Sequence, residues 1–240
     1  MRTLVITSDS GQQRGAAPDP ARMEELCDPQ RRHQADARLA SLACPAARMF
    51  IDTQHRLIMS GLDSVWDRWG RSLLELAILS SAYGLLPADR VVIPYDVTFD
   101  QLPEDALADW LACLEIPQQV AATVRNFDLV FYLLDGHHLA SLCLPLDLPQ
   151  PVMQILLTGQ PDLVLVPRLP NLYPCVATGA QAAQRWHVKA PYVRGFLFSR
   201  LCSQIVQHGP VVLEWLHRRP QDTELLFYKR SRWRPQWTLW

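Results

Sequence analysis

Three short apolar runs that stop abruptly in polar residues constrain the fold of this chain more than any other feature. They are "TLVITS" (residues 3–8), "LLELAILSS" (residues 73–81) and "DLVFYLLDG" (residues 128–136). Each is short for a helix and too uniformly apolar for a surface strand, so each reads as a strand buried on both faces. "DLVLVP" (residues 162–167) offers a fourth. Between them the apolar spacing changes to three and four. Leu57, Ile58, Gly61, Leu62, Val65 and Trp69 predict one helix over residues 46–69, with Gly70 as its stop. Residues 100–114 predict another, with Asp100 as cap, Pro103 in the first turn, and Glu104 and Asp105 at the positive end of the dipole. A further helix runs to Arg125, and two more cover residues 191–208 and 211–218. The terminal "LLFYKRSRWRPQWTLW" reads as a strand running into a tail. Strands alternating with helices predict an α/β fold: a mainly parallel sheet flanked by helices on both faces.

With 240 residues, 49% of them hydrophobic, the chain can bury one sizeable core. The expected organisation is a single α/β domain over residues 1–228, followed by a basic-aromatic tail at residues 229–240. A polar, partly mobile insertion is expected at about residues 9–44, with a short helix at residues 35–42. No apolar run reaches the roughly 18 residues that cross a bilayer. The first apolar run is too short for a secretory leader. A cytoplasmic location and no membrane partner are therefore expected. The six cysteines are scattered without a CxxC pair, which argues against a zinc ribbon or a thioredoxin-type site. Cys113 and Cys143 sit in apolar sequence and read as core thiols. No clustered ligand set points to a metal, and no cofactor is expected. GxSxG, P-loop, GxGxxG and HExxH motifs are all absent.

In an open α/β sheet, ligands bind outside the carboxyl ends of the strands. The three strands end in Thr7-Ser8-Asp9, in Ser80-Ser81 followed by Tyr83-Gly84, and in Asp135-Gly136-His137-His138. Side by side, these tips form one crevice of hydroxyls, carboxylates, imidazoles and backbone N–H groups. Gly84 permits a sharp turn or the close approach of a ligand. Pro94 fixes the next turn, from which Tyr95 and Asp96 point back. Other roles compete with these. Ser80 and Ser81 also suit a strand end, Asp96 a turn or cap, and His55 a packing position on its helix. His137-His138 also suits the start of a surface helix, and the pair lacks a third ligand for zinc.

Charge is uneven along the chain. Residues 181–240 hold ten Lys and Arg against three Asp and Glu, while the whole chain has a net charge of −1. Lys229, Arg230, Arg232 and Arg234 interleave with Trp233 and other indoles in the tail. Cations of this kind hold phosphates while indoles stack on bases. The competing reading is a solvated basic face with docked indoles.

"ILSSAYGLLPADRVVIPYDVTF" resembles a motif of the bacterial peroxide-stress proteins and their short relatives, Leu-Ser-Ala-x-Tyr-Gly-Leu-Leu followed by Pro-Tyr-Asp. "PAARMFIDTQHRLIMSG" (residues 45–61), "LVFYLLDGHHLASL" (residues 129–142) and "YVRGFLFSRL" (residues 192–201) resemble further segments of that family in the same order. The resemblance implies a three-layer α/β sandwich like that of uracil-DNA-glycosylases. It also implies a link to nucleic acid or nucleobase handling, with DNA, RNA or a free nucleobase as partner. Departures are present. Thr7-Ser8-Asp9-Ser10-Gly11-Gln12-Gln13 stands where the family carries a Cys and a Lys, Phe50 where a Tyr is usual, and Asp52 where a Gly is usual.

On this basis one expected function is cleavage or exchange of an N-glycosidic bond. Asp96 or Asp135 would orient water or stabilise a cationic sugar. Tyr83 or Tyr95 would stack on the base, and Ser8, Ser81 and the backbone of Gly84, Gly136 and His137 would hold its edge. The alternative is a non-catalytic protein that binds nucleic acid or a protein partner through its basic, Trp-rich end.

Overall fold

β1 (Thr3–Ser8) is buried along its whole length, which demands a neighbouring strand on each edge and a layer on each face. The computed structural model supplies both. It describes residues 1–9, 12–15 and 17–228; Lys229, Arg230, Arg232, Trp233 and Arg234 lie outside the described residues, and with them the expected tail interface. The other strands are β2 (Cys44–Pro45), β3 (Leu74–Ser80), β4 (Gly84–Pro87), β5 (Val91–Val92), β6 (Leu129–Leu133), β7 (Met153–Thr158) and β8 (Leu172–Val176). Six of them form one sheet in the order β4-β3-β1-β6-β7-β8, and β2 pairs with β5 separately. Only β4 runs antiparallel in the large sheet, because it returns from β3 through a hairpin. The α/β expectation with a mainly parallel sheet is met.

The polar segment after β1 contains two short helices. It forms α1 (Met23–Cys27) and α2 (Pro29–Arg38). Asp28 caps α2 by accepting from the N–H groups of Gln30 at 2.8 Å and Arg31 at 3.0 Å, and Pro29 takes the first helical position. Leu26, Ala35 and Leu39 are buried in the core. Ala21 straps the segment to the Pro94–Asp96 loop by two backbone bonds of 3.0 and 2.8 Å.

The single helix expected over residues 46–69 is two: α3 (Ala46–Met49) and α4 (Thr53–Trp69). Phe50 is extended between them, and Asp52 caps α4 by accepting from Gln54 N–H at 2.8 Å and His55 N–H at 3.1 Å. The next helix starts later than expected. Asp100 lies in a 3₁₀ turn, and α5 (Glu104–Leu114) begins after Pro103. α6 (Ile116–Val124) and α7 (Gly136–Ser141) follow, then α8 (Ala180–Trp186), α9 (Val193–His208), α10 (Val211–Arg218) and α11 (Thr223–Tyr228).

Two expected strands are helical instead. Residues 160–165 form a 3₁₀ turn started by Pro161, with Val164 87% exposed. The strands that extend the sheet are "MQILLT" and "LYPCV". The last described element is α11, whose Leu226 and Phe227 are buried one turn beyond Thr223. Cys113 and Cys143 are exposed, and the core thiols are Cys175 and Cys202. A hydrophobic run in sequence does not say which of its residues face inward. Among the described residues, no helix is long and apolar enough to cross a membrane.

α4 and α9 cross at close range, and α9 sets Phe198 against Phe131 of β6. The crossing depends on two glycines. A Cβ on Gly195 would stand 2.6 Å from the Gln54 carbonyl oxygen, and one on Gly61 would stand 3.1 Å from Cys202 and the Ser199 backbone. Gly195→Ala must push the helices apart. It is expected to lower stability by about 1–3 kcal/mol, read as a reduced urea midpoint with unchanged slope.

Candidate functional site

β1 sits between β3 and β6, so the chain leaves it in opposite directions on its two sides. That is the switch point at which an α/β sheet opens a crevice beyond its carboxyl ends. Asp9, the first residue after β1, extends the pairing by donating its N–H to Leu79 O at 3.0 Å. Its side chain is only 6% exposed and fully engaged. Oδ2 accepts from Ser81 N–H at 2.7 Å and from the Tyr95 hydroxyl at 2.5 Å. Oδ1 accepts from His138 Nε2 at 2.8 Å and from Ser81 Oγ at 3.2 Å.

The serines at the end of β3 divide the work. Ser80 Oγ holds the hairpin turn by accepting from the N–H groups of Ala82 at 3.1 Å and Tyr83 at 3.3 Å. It also lies 2.8 Å from the Tyr95 hydroxyl, which gives its own proton to Asp9. Ser81 faces the crevice, and its carbonyl accepts from Trp110 Nε1 of α5 at 2.7 Å. Gly84 closes the turn at φ 70°, and a Cβ there would lie 2.6 Å from Gln119 Oε1. That oxygen accepts from Leu85 N–H at 2.8 Å, so Gly84 serves the hairpin and its contact with α6.

On the other side of β1, Asp135 caps α7 by accepting from His138 N–H at 3.0 Å. The same carboxylate accepts from His138 Nδ1 at 2.8–2.9 Å. The imidazole is thus clamped between Asp9 and Asp135, with the Phe99 ring 5.0 Å from it. Burial disfavours the charged imidazole, but the hydrogen bonds and charges of Asp135 and Asp9 overcome this and push its pKa up to about 10. Burial likewise works to raise the pKa of Asp135. His138, with a smaller contribution from Arg194, outweighs it and holds the carboxyl well below the usual range.

Ser81 Oγ lies 3.3 Å from His138 Nε2, which superficially completes a Ser-His-Asp arrangement. The protonation rules it out as a nucleophile and base. Nε2 directs its proton to Asp9, and an imidazolium has no lone pair to accept the serine proton. The ionised, accessible group is Asp135, whose side chain is 42% exposed.

These residues wall a pocket of about 280 Å³. Asp9, Ser81, Asp135 and His138 line one part of it, and Thr98, Phe99, Asp100 and His137 the rest. Thr98 Oγ1 is shielded from solvent and has no hydrogen-bond partner. A buried hydroxyl of this kind is the sort of group a bound polar molecule satisfies.

Of the residues expected at the site, Asp135, Ser81 and His137 line the pocket, and Tyr95 supports it from behind through Asp9. Tyr83 stands behind Tyr95 in edge contact, 5.5 Å between centroids, with Arg32 over its ring at 5.0 Å. Ser8 is buried and Gly136 packs near Asp162; neither lines the pocket. Asp96 is exposed on its loop outside the lining, and its N–H bonds Ala21 O at 2.8 Å. His55 is a packing residue, buried with Nε2 donating to Ala47 O at 2.9 Å. His137 and His138 lie in the first turn of α7, with His137 exposed and His138 buried. Asp9 and His138 stand at the expected strand tips but carry no assigned role in the sequence reading, and Thr98, Phe99 and Asp100 join the lining without a sequence signal. The Asp-x-x-His spacing of Asp135 and His138 carried a signal, since a capping Asp reaches both the N–H and the side chain three residues on.

Compared with known proteins, the chain matches no protein-family model and no curated protein.

The clamp has a pH signature. His138 has a raised folded pKa, so its contribution is complete below the unfolded value of 6.5 and fades as pH rises toward about 10. Asp135 has a lowered one, so its contribution is present above 3.8 and fades in acid. Urea unfolding is expected to show stability falling by on the order of 1 kcal/mol per pH unit between about pH 7 and 9. His138→Gln should be less stable by roughly 3–5 kcal/mol near pH 6, since it leaves Asp9 buried without its cation. In that variant the alkaline decline should disappear.

Proposed function

We propose that the protein cleaves an N-glycosidic bond between a sugar and a nucleobase. The observation that carries this reading is Asp135. It is an ionised, half-exposed carboxylate held rigidly at the wall of a small crevice by an imidazolium that cannot itself act as a base. As the C1′–N bond breaks, positive charge gathers on the sugar, and a fixed carboxylate beside it lowers the barrier. Asp135 also orients the attacking water. The C1′–O bond forms as the C1′–N bond breaks, and a proton of that water ends on the released base. Phe99 offers an apolar face to the base, and Ser81, Thr98 and His137 offer polar groups to its edge. Asp9 is a positioning residue that acts through His138.

The resemblance to the peroxide-stress family and the uracil-DNA-glycosylase-like sandwich it implies support the same reading. So does the position of the crevice at the switch point of the sheet. Release of free base from nucleosides and single-stranded nucleic acid, followed by chromatography, tests it. Asp135→Asn should lower the rate at least about a hundredfold with the fold retained, whereas Asp96→Ala should leave it within about twofold. Equal rates in wild type and Asp135→Asn would refute the role of Asp135. Wild-type activity should be level from about pH 5 to 9 and fall as His138 deprotonates near pH 10.

The surplus of positive charge in residues 181–240 favours a second reading, binding of nucleic acid through residues 229–240. Removing those residues should then weaken binding at low salt and flatten its salt dependence, measured by fluorescence anisotropy. Unchanged affinity would discard it.

A further inference from the structure

We infer that the crevice takes a substrate without phosphate, a nucleoside either uncharged or positively charged on its ring, and rejects nucleotides and the nucleic-acid backbone. This rests on the reading of the crevice as a nucleoside site. Three features of the crevice lead to it.

First, among the described residues its lining includes the carboxylates Asp9, Asp100 and Asp135 and no Lys or Arg. The fixed positive charge in the lining, on His138, is already engaged by Asp9 and Asp135 at 2.8 Å each. The wall therefore keeps a surplus of negative charge, and Asp100 and Asp135 present it on the solvent side.

Second, the N-terminus of a helix at a strand's carboxyl end is where an α/β fold ordinarily receives a phosphate. Here that seat is filled from within. Asp135 accepts the His138 N–H at the start of α7, so the chain's own carboxylate stands where an anion would bind.

Third, the cation beside this cluster is turned inward. Arg194 pairs with Asp162 at 3.3 Å, donates to Leu157 O at 3.2 Å and is not part of the lining. A monophosphate carries close to two negative charges at neutral pH. Placed in this crevice it would meet like charge at short range with little screening. A sugar ring bearing positive charge would meet the opposite, and that is also the charge that develops during glycosidic cleavage.

The test is calorimetric titration of the full chain with adenosine, guanosine, cytidine and uridine, with their 5′-monophosphates, with inorganic phosphate, and with a protonated iminoribitol. The expected result is that a nucleoside binds at least about tenfold more tightly than its monophosphate. The gap should narrow as salt is raised and again in Asp100→Asn. The iminoribitol should bind, and should bind more weakly in Asp135→Asn, with circular dichroism confirming that both variants remain folded. A monophosphate that binds as tightly as its nucleoside overturns the inference. So does an iminoribitol that fails to bind.

The outcomes also separate this inference from the reading beneath it. A nucleoside that binds but is not cleaved leaves the phosphate-free preference standing and removes the cleavage reading. If no nucleoside binds, the nucleoside reading falls and with it the substrate named here. Iminoribitol binding that is lost in Asp135→Asn would then uphold only the preference for positive charge.

Discussion

The buried carboxylate of Asp9 is the point on which the site depends. A charged side chain this far from water is tolerated only when each oxygen is paired, and here each accepts two hydrogen bonds. Those bonds come from three residues far apart in the sequence: the backbone and hydroxyl of Ser81, the phenol of Tyr95, and the imidazole of His138. Satisfying one carboxylate therefore fixes the hairpin after β3, the Pro94–Asp96 loop and the start of α7 relative to the end of β1. The Pro94–Asp96 loop in turn holds the α1–α2 segment through Ala21.

The same constraint sets the chemistry. An imidazole between two carboxylates keeps its proton, so His138 is a fixed charge rather than a proton shuttle. Its two partners then diverge. Asp9 is enclosed and saturated, while Asp135 has one side bonded and another open to the crevice. A reactive carboxylate needs that combination of rigidity and access. The geometry of Ser81 beside His138 shows why distance alone is a poor guide: 3.3 Å places the two atoms together, but the proton already points elsewhere.

How far the fold could be read from residues depended on the kind of signal. β1, β3 and β6 were legible because an apolar run between polar stops leaves a buried strand few rivals. The regular spacing of residues 193–208 and 211–218 marked α9 and α10. Residues 162–167 resemble a strand because of Val164 and Leu165, whereas Pro161 begins a helical turn there. "MQILLT" carries the same apolar character as β1, β3 and β6, and Pro151 and Gly159 flank it as turn signals. The break at Phe50 was hidden because Asp52 works as a cap only when the chain before it is extended, and apolar spacing does not report that.

The candidate site shows the same division. Sequence alone determined that polar residues stand at the tips of β1, β3 and β6, since the alternation of buried strands and helices requires those tips to lie at one end of a parallel sheet. It therefore pointed to Ser81, Tyr95 and Asp135. It favoured Asp96 over Asp9, although both are acidic residues following apolar runs. Only tertiary structure decided between them. Residues 9, 81, 95 and 138 meet only when β1 lies between β3 and β6, and strand order is a long-range choice that local pattern leaves open. Burial then follows from that order, and burial decides which carboxylate is locked in place, which stays reachable and which is left in solvent.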